Sequence, residues 1–183
     1  MSEEMIIKQC SPTLAGMKTG SIFNCTFLNK KILWNEIRHL NTLLSKKGLR
    51  IIPLAVESRK ALIFIYRPDR LEKDIIRKES VSILKECGYC RISTQDCIAH
   101  LKKRLSEGNG FPHEIGLFLG YPPEDVRGFI QNKALGHKVS GYWKVYGDEK
   151  KALKTFRKYR KCTMVYTKKQ AEGISIERLA VAC

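Results

Sequence analysis

The sequence contains few acidic residues and no long apolar run. Among its 183 residues no stretch approaches the roughly 20 apolar residues that a membrane-spanning helix needs. The N-terminal segment MSEEMIIKQCSP carries acidic residues where a secretory signal has basic ones. We therefore expect no association with a membrane. The seven cysteines are odd in number and lack a framework spacing, which argues for reduced thiols in the cytoplasm.

Several motifs that would point to a familiar activity are also absent. The chain has no RNP-type motif, no zinc-finger spacing and no GxxG loop of the KH kind. GMKTGS is not a Walker A sequence, because the first glycine is missing at the required spacing. The segment HEIGL is not a zinc-protease motif, because Leu117 stands where that motif has its second histidine. A P-loop NTPase and a metalloprotease of this kind are therefore excluded.

Basic residues are abundant. There are 34 Lys and Arg against 18 Asp and Glu, which gives a formal net charge of +16. Such a surface attracts anions of several classes, including phosphorylated ligands, nucleic acid and acidic proteins. The densest basic segment is EKKALKTFRKYRK, residues 149–161. It is typical of a solvated helix face, and it is also the segment through which nucleic acid would be bound.

The pattern of apolar residues predicts an α+β fold with a single domain over residues 1–183. A hydrophobic content of 43% is typical of a globular protein. SIFNCTF alternates as a strand does, KKILWNEIRHLNTLLSKKG is an amphipathic helix, and LRIIPLAVE with KALIFIYRP predicts a hairpin. We expect a small, mostly antiparallel sheet packed with several helices.

The second half of the chain is predicted to be mainly helical. A short helix is expected over about residues 114–119, followed by another that begins at Pro122 and Pro123. GYWKVYG alternates as a strand. Asp148 is expected to cap a basic helix that ends near Lys161, and CTMVYT is predicted to form a further strand.

Five motifs together resemble a known family. They are CSPTLAGMKTGSIF, RPDRL, FPHEIGLFLGYPPEDVRGFI, and GYWKVYGD followed by KYRKCT. In this order they are similar to the DUF3793 family, and the resemblance covers nearly the whole chain. It implies a stand-alone cytoplasmic protein of bacteria, mainly Firmicutes and other anaerobes. It supplies no activity, because the family has no assigned function, and the cofactors stay unknown.

The first candidate site is the pair His113 and Glu114. Pro112 precedes the pair, so both residues are expected in the first turn of a helix, where a carboxylate favours the helix dipole. In a functional interpretation, His113 is a general base or ligand that a carboxylate orients. Both interpretations remain open at this point.

The second candidate is SPTLAGMKTGS, residues 11–21, which is predicted to be a loop. Small residues allow close approach of the backbone to a ligand, and Lys18 adds a positive charge. Thr13, Thr19 and Ser21 offer hydroxyl groups. This composition suits an anion or phosphate site, although a structured loop that leads into a strand would look the same.

The third candidate is a thiol or metal site. Cys87 and Cys90 form a CxxC pair, Cys97 follows, and His100 lies one helical turn further on. The alternative is that Cys97 and His100 belong to an amphipathic helix. Cys10 and Cys162 flank motifs shared with the family, so each is a candidate reactive thiol, although small buried residues are the more frequent case.

These observations lead to three hypotheses for function. The first is binding of a small anionic or phosphorylated ligand between the 11–21 segment and the start of the helix at His113. The second is a redox or metal-handling protein that uses Cys87, Cys90 and Cys97. The third is a nucleic-acid-associated accessory protein that acts through residues 149–161. Oligomeric state and catalysis are left open.

Overall fold

The computed structural model describes residues 1–108 and 110–182, and it confirms the α+β class. These residues form nine helices and five strands, and both sheets are antiparallel. The chain divides into two compact units. The first consists of residues 1–69 together with the chain from residue 159 on, and the second of residues 70–158. The single domain expected over residues 1–183 stays a prediction.

The elements follow one another along the chain as helices and strands of very different length. The helices are α1 (Glu3–Leu14), α2 (Lys30–Leu44), α3 (Pro68–Ile75), α4 (Lys78–Glu86), α5 (Thr94–Ser106), α6 (Ile115–Phe118), α7 (Pro123–Gln131), α8 (Glu149–Ala171) and α9 (Ile176–Leu179). The strands are β1 (Gly20–Thr26), β2 (Arg50–Glu57), β3 (Lys60–Tyr66), β4 (Val139–Ser140) and β5 (Lys144–Val145).

A three-stranded sheet in the order β1-β3-β2 organises the first unit. The central strand β3 is apolar almost throughout, as expected for a strand that is paired on both edges. Pro53 is tolerated because β2 is an edge strand, and a bulge follows it. One face of the sheet packs against helices of the same unit, and the resulting core contains Ile6, Leu33, Ile63 and Ile176.

The second unit is mainly helical and contains a small hairpin, β4–β5. Ala152 and Phe156 from the start of α8 pack against Val145 of this hairpin. Trp143 lies edge-on to Phe156, with ring centroids 4.5 Å apart. The helix that was predicted at Pro122 and Pro123 is present as α7, with Pro122 as its N-cap.

Three predictions of secondary structure need correction. Residues 11–14 are the last turn of α1, and residues 20–21 begin β1, so only the middle of the 11–21 segment is a turn. CTMVYT is not a strand, because α8 continues through it to Ala171 and does not end near Lys161. GYWKVYG contributes only the two residues of β5 to a strand.

Within residues 1–108 and 110–182, no helix combines the length and the apolar character needed to cross a membrane.

Candidate functional site

The residues predicted to bind an anion lie together in the first unit, but they are buried. Thr13, Lys18, Thr19 and Ser21 are each at most 7% exposed. The hydroxyl oxygens of Thr13 and Ser21 are 2.9 Å apart and share a hydrogen bond that joins the end of α1 to β1. A ligand from solvent would reach these groups only if the surrounding chain moved.

Lys18 lies beside Cys10 in this buried cluster. Burial lowers the pKa of Lys18 to about 8, although the nearby Cys10 acts in the opposite direction. Burial likewise raises the pKa of Cys10 to about 12, against smaller opposing effects of Lys18 and Ser21. The thiol of Cys10 therefore stays protonated at neutral pH, which does not favour a reactive thiolate at this position.

A residue that sequence reasoning missed, Arg67, stabilises the same region. Its guanidinium is 1% exposed. It donates to the carbonyl oxygens of Thr13 at 2.8 Å and Leu14 at 2.7 Å, the last residues of α1. It also donates to the carbonyls of Lys47 and Val181, at 3.0 and 2.8 Å. A positive charge at a helix C-terminus is favourable, so Arg67 of the RPDRL motif joins four carbonyl groups from three parts of the chain.

His113 and Glu114 belong to the second unit, and their side chains have different surroundings. His113 is exposed, and its ring packs edge-on against Phe129 at a centroid distance of 4.8 Å. Glu114 is only 2% exposed and accepts a hydrogen bond from the Tyr89 hydroxyl at 3.0 Å. The structure therefore shows no arrangement in which the Glu114 carboxylate orients His113, and the catalytic pair stays a prediction.

Glu114 instead forms an ion pair with Arg104 of α5. Their distance, from Nη1 to Oε1, is 2.9 Å. Burial and then the Glu114 charge raise the pKa of Tyr89, so its hydroxyl remains protonated and donates to the carboxylate. Glu114 is thus held by two donors. It is the N-cap residue of α6 and does not lie in the first turn as expected, and its side chain forms no capping hydrogen bond.

Arg104 also lines a cleft. Its volume is about 280 Å³, and it is lined by Cys87, Gly88, His100, Lys103, Arg104, Glu107 and Gly110. His100, Lys103 and Arg104 lie on one face of α5, and Glu107, the C-cap residue of this helix, continues that face at the i+7 position. Gly88, with φ of +89°, ends the chain reversal after α4 and brings Cys87 to the same cleft.

The cations of this cleft are only partly neutralised within the protein. Arg104 uses Nη1 for Glu114 and for the carbonyl oxygen of Cys87, the latter at 3.1 Å. Its Nε and Nη2 form no hydrogen bond with the residues that the structure describes. Lys103 approaches Glu107 at 3.7 Å, but its side chain is 71% exposed, so this pair is weak.

The predicted metal ligands are not brought together. Cys90 is exposed, Cys97 is buried, and Cys87 lines the cleft. Within residues 1–108 and 110–182, no group of three or more His, Cys, Asp and Glu side chains is arranged to hold a metal ion. Burial raises the pKa of Cys97 and of Cys162, each to about 11. A metal or thiol site at these cysteines thus receives no support from the geometry.

The rest of the segment FPHEIGLFLGYPPEDVRGFI is occupied by packing. Asp125 is 3% exposed and accepts hydrogen bonds from the backbone N–H groups of Tyr146 and Gly147, at 2.7 and 2.8 Å. Its other oxygen accepts from the Trp143 indole at 2.7 Å. A Cβ at Gly128 would overlap the ring of Tyr146. This segment is therefore the structural link between α6, α7 and the WKVYG element.

The comparisons with known proteins agree with the motifs. Residues 6–180 match the sequence profile of the family described as "Protein of unknown function (DUF3793)". No match was found among curated proteins or among solved structures. Because the matched region covers nearly the whole chain, the protein belongs to the DUF3793 family.

Proposed function

We propose that this protein binds a small anionic ligand, bearing a phosphate or carboxylate group, in the cleft beside α5. The proposal retains the ligand class expected from the sequence but moves the site to the second unit. The residues that would bind the ligand are Lys103 and Arg104, with His100 at the wall of the cleft.

The observation that carries the proposal is the position of the Arg104 guanidinium. Glu114 and the Cys87 carbonyl hold it through Nη1, so its orientation is fixed before any ligand arrives. The edge formed by Nε and Nη2 is the edge that binds carboxylate and phosphate oxygens in pairs. A pre-oriented guanidinium loses little side-chain entropy on binding, which favours affinity.

The size of the cleft supports a small ligand. Its volume of about 280 Å³ lies just below the usual range for ligand pockets. Inorganic phosphate, a small carboxylic acid or the phosphorylated end of a larger molecule would be accommodated in such a space.

The state of Cys87 favours binding over thiol chemistry. Burial and then the Glu114 charge raise the pKa of Cys87, so the thiol in the cleft is protonated at neutral pH. A protonated thiol is a poor nucleophile, but it is a compatible neighbour for an anion because it carries no negative charge.

Isothermal titration calorimetry with inorganic phosphate at low ionic strength tests the proposal. Arg104→Lys keeps the charge but removes the paired donors, and we expect it to weaken binding about tenfold or more. Lys103→Gln removes an exposed charge and should weaken binding about threefold to tenfold. Lys85→Gln, an equal charge change at an exposed residue that does not line the cleft, is the matched control.

Glu114→Gln gives a second and opposite test. The variant removes the negative charge paired with Arg104 but keeps an amide oxygen that accepts from Nη1, so the guanidinium stays oriented and phosphate should bind more tightly; circular dichroism checks that the fold is retained. If Lys85→Gln weakens binding as much as Lys103→Gln, or if phosphate does not bind at all, the proposal is wrong.

A further inference from the structure

The beginning of α8 presents a basic surface that the cleft does not include. Within the second unit, Ala152 and Phe156 face the core and are 4% and 5% exposed. On the opposite side of the helix lie five exposed cations, which we call the basic face: Lys150, Lys151, Lys154, Arg157 and Lys158. At about 100° per residue these five side chains fall within one third of the helix circumference, directly opposite the buried side.

The five cations of the basic face are not neutralised by ion pairs. Among the residues that the structure describes, no ion pair includes any of them. Asp148 lies at the start of the helix, where its carboxylate accepts the backbone N–H of Lys151 at 2.9 Å. The core contacts of Ala152 and Phe156 fix the rotation of the helix, so the cations are held toward solvent.

The chemistry of this surface discriminates between classes of partner. A stable protein interface usually has an apolar or aromatic centre, and the basic face contains neither. A helix that lies on a membrane inserts an apolar side, but here the apolar side of the helix is packed against β5. Interfaces with nucleic acid are polar and strongly positive, which matches the basic face.

We propose that the basic face binds nucleic acid through the phosphate backbone, independently of base sequence. The five cations span about 12 Å of helix, at 1.5 Å per residue. Duplex DNA carries one charge per about 1.7 Å of its axis, so several phosphates lie within reach of this surface. Four of the five residues are lysines, which act as point charges toward phosphate and do not provide the paired geometry that reads a base.

The salt dependence of binding measures the number of phosphates contacted. Fluorescence anisotropy with labelled duplex DNA and labelled single-stranded RNA, each in two unrelated sequences, provides the affinities. Five contacts predict a slope of about −4 to −5 for duplex in a plot of log affinity against log salt concentration. Affinity should then fall roughly 500-fold between about 50 and 200 mM salt.

Two variants with the same net charge separate the basic face from the charge of the whole protein. In the first, the five residues of the basic face are replaced by Gln. In the second, five other exposed cations of the second unit are replaced by Gln: Lys73, Lys78, Lys85, Arg91 and Lys133. We expect the first variant to lose at least about 100-fold in affinity and most of the salt slope, and the second to stay within about threefold of the unmodified protein.

The proposal is overturned if neither DNA nor RNA binds at low salt, or if the two variants lose affinity equally. It is also overturned if one sequence binds much more tightly than the other. Anionic lipid vesicles and polyglutamate serve as competitors at equal charge. Preference for either of them over nucleic acid would assign the basic face to a membrane or to an acidic protein instead. Circular dichroism of both variants confirms that the helix is retained.

Discussion

Substituting Lys18 by Met should remove a pH dependence of stability that begins near pH 8. Burial lowers the pKa of Lys18 to about 8 in the folded protein, from 10.5 when the amine is in water. Below pH 8 both the folded and the unfolded chain carry the proton, so the cost of burying the ammonium group is present in full. At about 1.4 kcal/mol per pKa unit, this cost is roughly 3 kcal/mol.

Above pH 8 the folded protein releases this proton before the unfolded chain does. The free energy of unfolding therefore rises with pH, by about 1.3 kcal/mol between pH 7 and pH 9. Cys10 acts in the opposite direction, because its folded pKa of about 12 lies above the ordinary value of 9.0. The unfolded thiol ionises first, so stability falls as pH rises above 9, and its effect up to pH 9 is below about 0.5 kcal/mol.

Urea unfolding of the unmodified protein and of Lys18→Met at pH 7, 8 and 9, followed by circular dichroism, measures how the free energy of unfolding changes with pH. Between pH 7 and pH 9, the free energy of unfolding of Lys18→Met should rise by about 1.3 kcal/mol less than that of the unmodified protein. Lys8→Met, at an exposed position of α1, controls for the loss of a lysine. Parallel pH profiles for the unmodified protein and Lys18→Met would show that Lys18 is not held in a desolvated environment, and the reasoning would fail.

Three further predictions concern residues that the fold uses. Arg67→Met removes four buried hydrogen bonds from a charged donor, although the carbonyls of Thr13 and Leu14 keep a backbone donor. We expect a loss of about 3–5 kcal/mol in urea unfolding, whereas a loss below about 1 kcal/mol would contradict this role. Gly128→Ala places a methyl group against the Tyr146 ring and should lower the free energy of unfolding by about 1–3 kcal/mol; unchanged thermal stability would refute the close approach. Iodoacetamide should alkylate the exposed Cys90 first, and the buried Cys10 and Cys97 only when the protein unfolds. Peptide mass spectrometry measures the modification of each cysteine. Fast labelling of Cys10 in the folded protein would instead support its assignment as a reactive thiol.

Much of the secondary structure of the first unit was predicted correctly, because the sequence patterns that indicate it are local. β1, α2 and the β2–β3 hairpin were predicted from alternation, from an amphipathic stripe and from a short turn. Ser58, with φ of 40°, provides the turn of the hairpin. In such segments the pattern of the chain and the packing of the unit favour the same structure.

The errors fall where distant contacts outweigh local preference. Thr163, Val165 and Tyr166 favour a strand by composition, yet they lie in α8. Tyr166 packs against the core of the first unit at helical spacing from Tyr159, and the Thr163 hydroxyl donates to the Tyr159 carbonyl one turn earlier, at 3.1 Å. Tertiary packing thus decides the helix, as it commonly does when intrinsic propensities are weak.

The cleft beside α5 was not predicted, because the contact behind it joins two separate segments of the chain. The pairing of Glu114 with Arg104 across a chain reversal gives no signal in the pattern of either segment. The spacing of His100, Lys103, Arg104 and Glu107 could have indicated a polar helix face, because these positions fall on one side of a helix. Cys87 and Gly88 also line the cleft. Their position depends on how α4 ends, which the sequence alone does not specify.

The long shared segment from Phe111 to Ile130 is better explained by assembly of the second unit than by chemistry. Both oxygens of Asp125 are engaged by Trp143 and by backbone N–H groups, so this carboxylate has little capacity left for a substrate. Glu114 forms an ion pair with Arg104 and a hydrogen bond with Tyr89. Gly128 is required because the Tyr146 ring leaves no room for a Cβ. Nε and Nη2 of Arg104, the exposed Lys103 and the basic face of α8, by contrast, are cations that form at most one weak ion pair with the residues that the structure describes. Both proposals made above for the second unit therefore depend on recognition of negative charge.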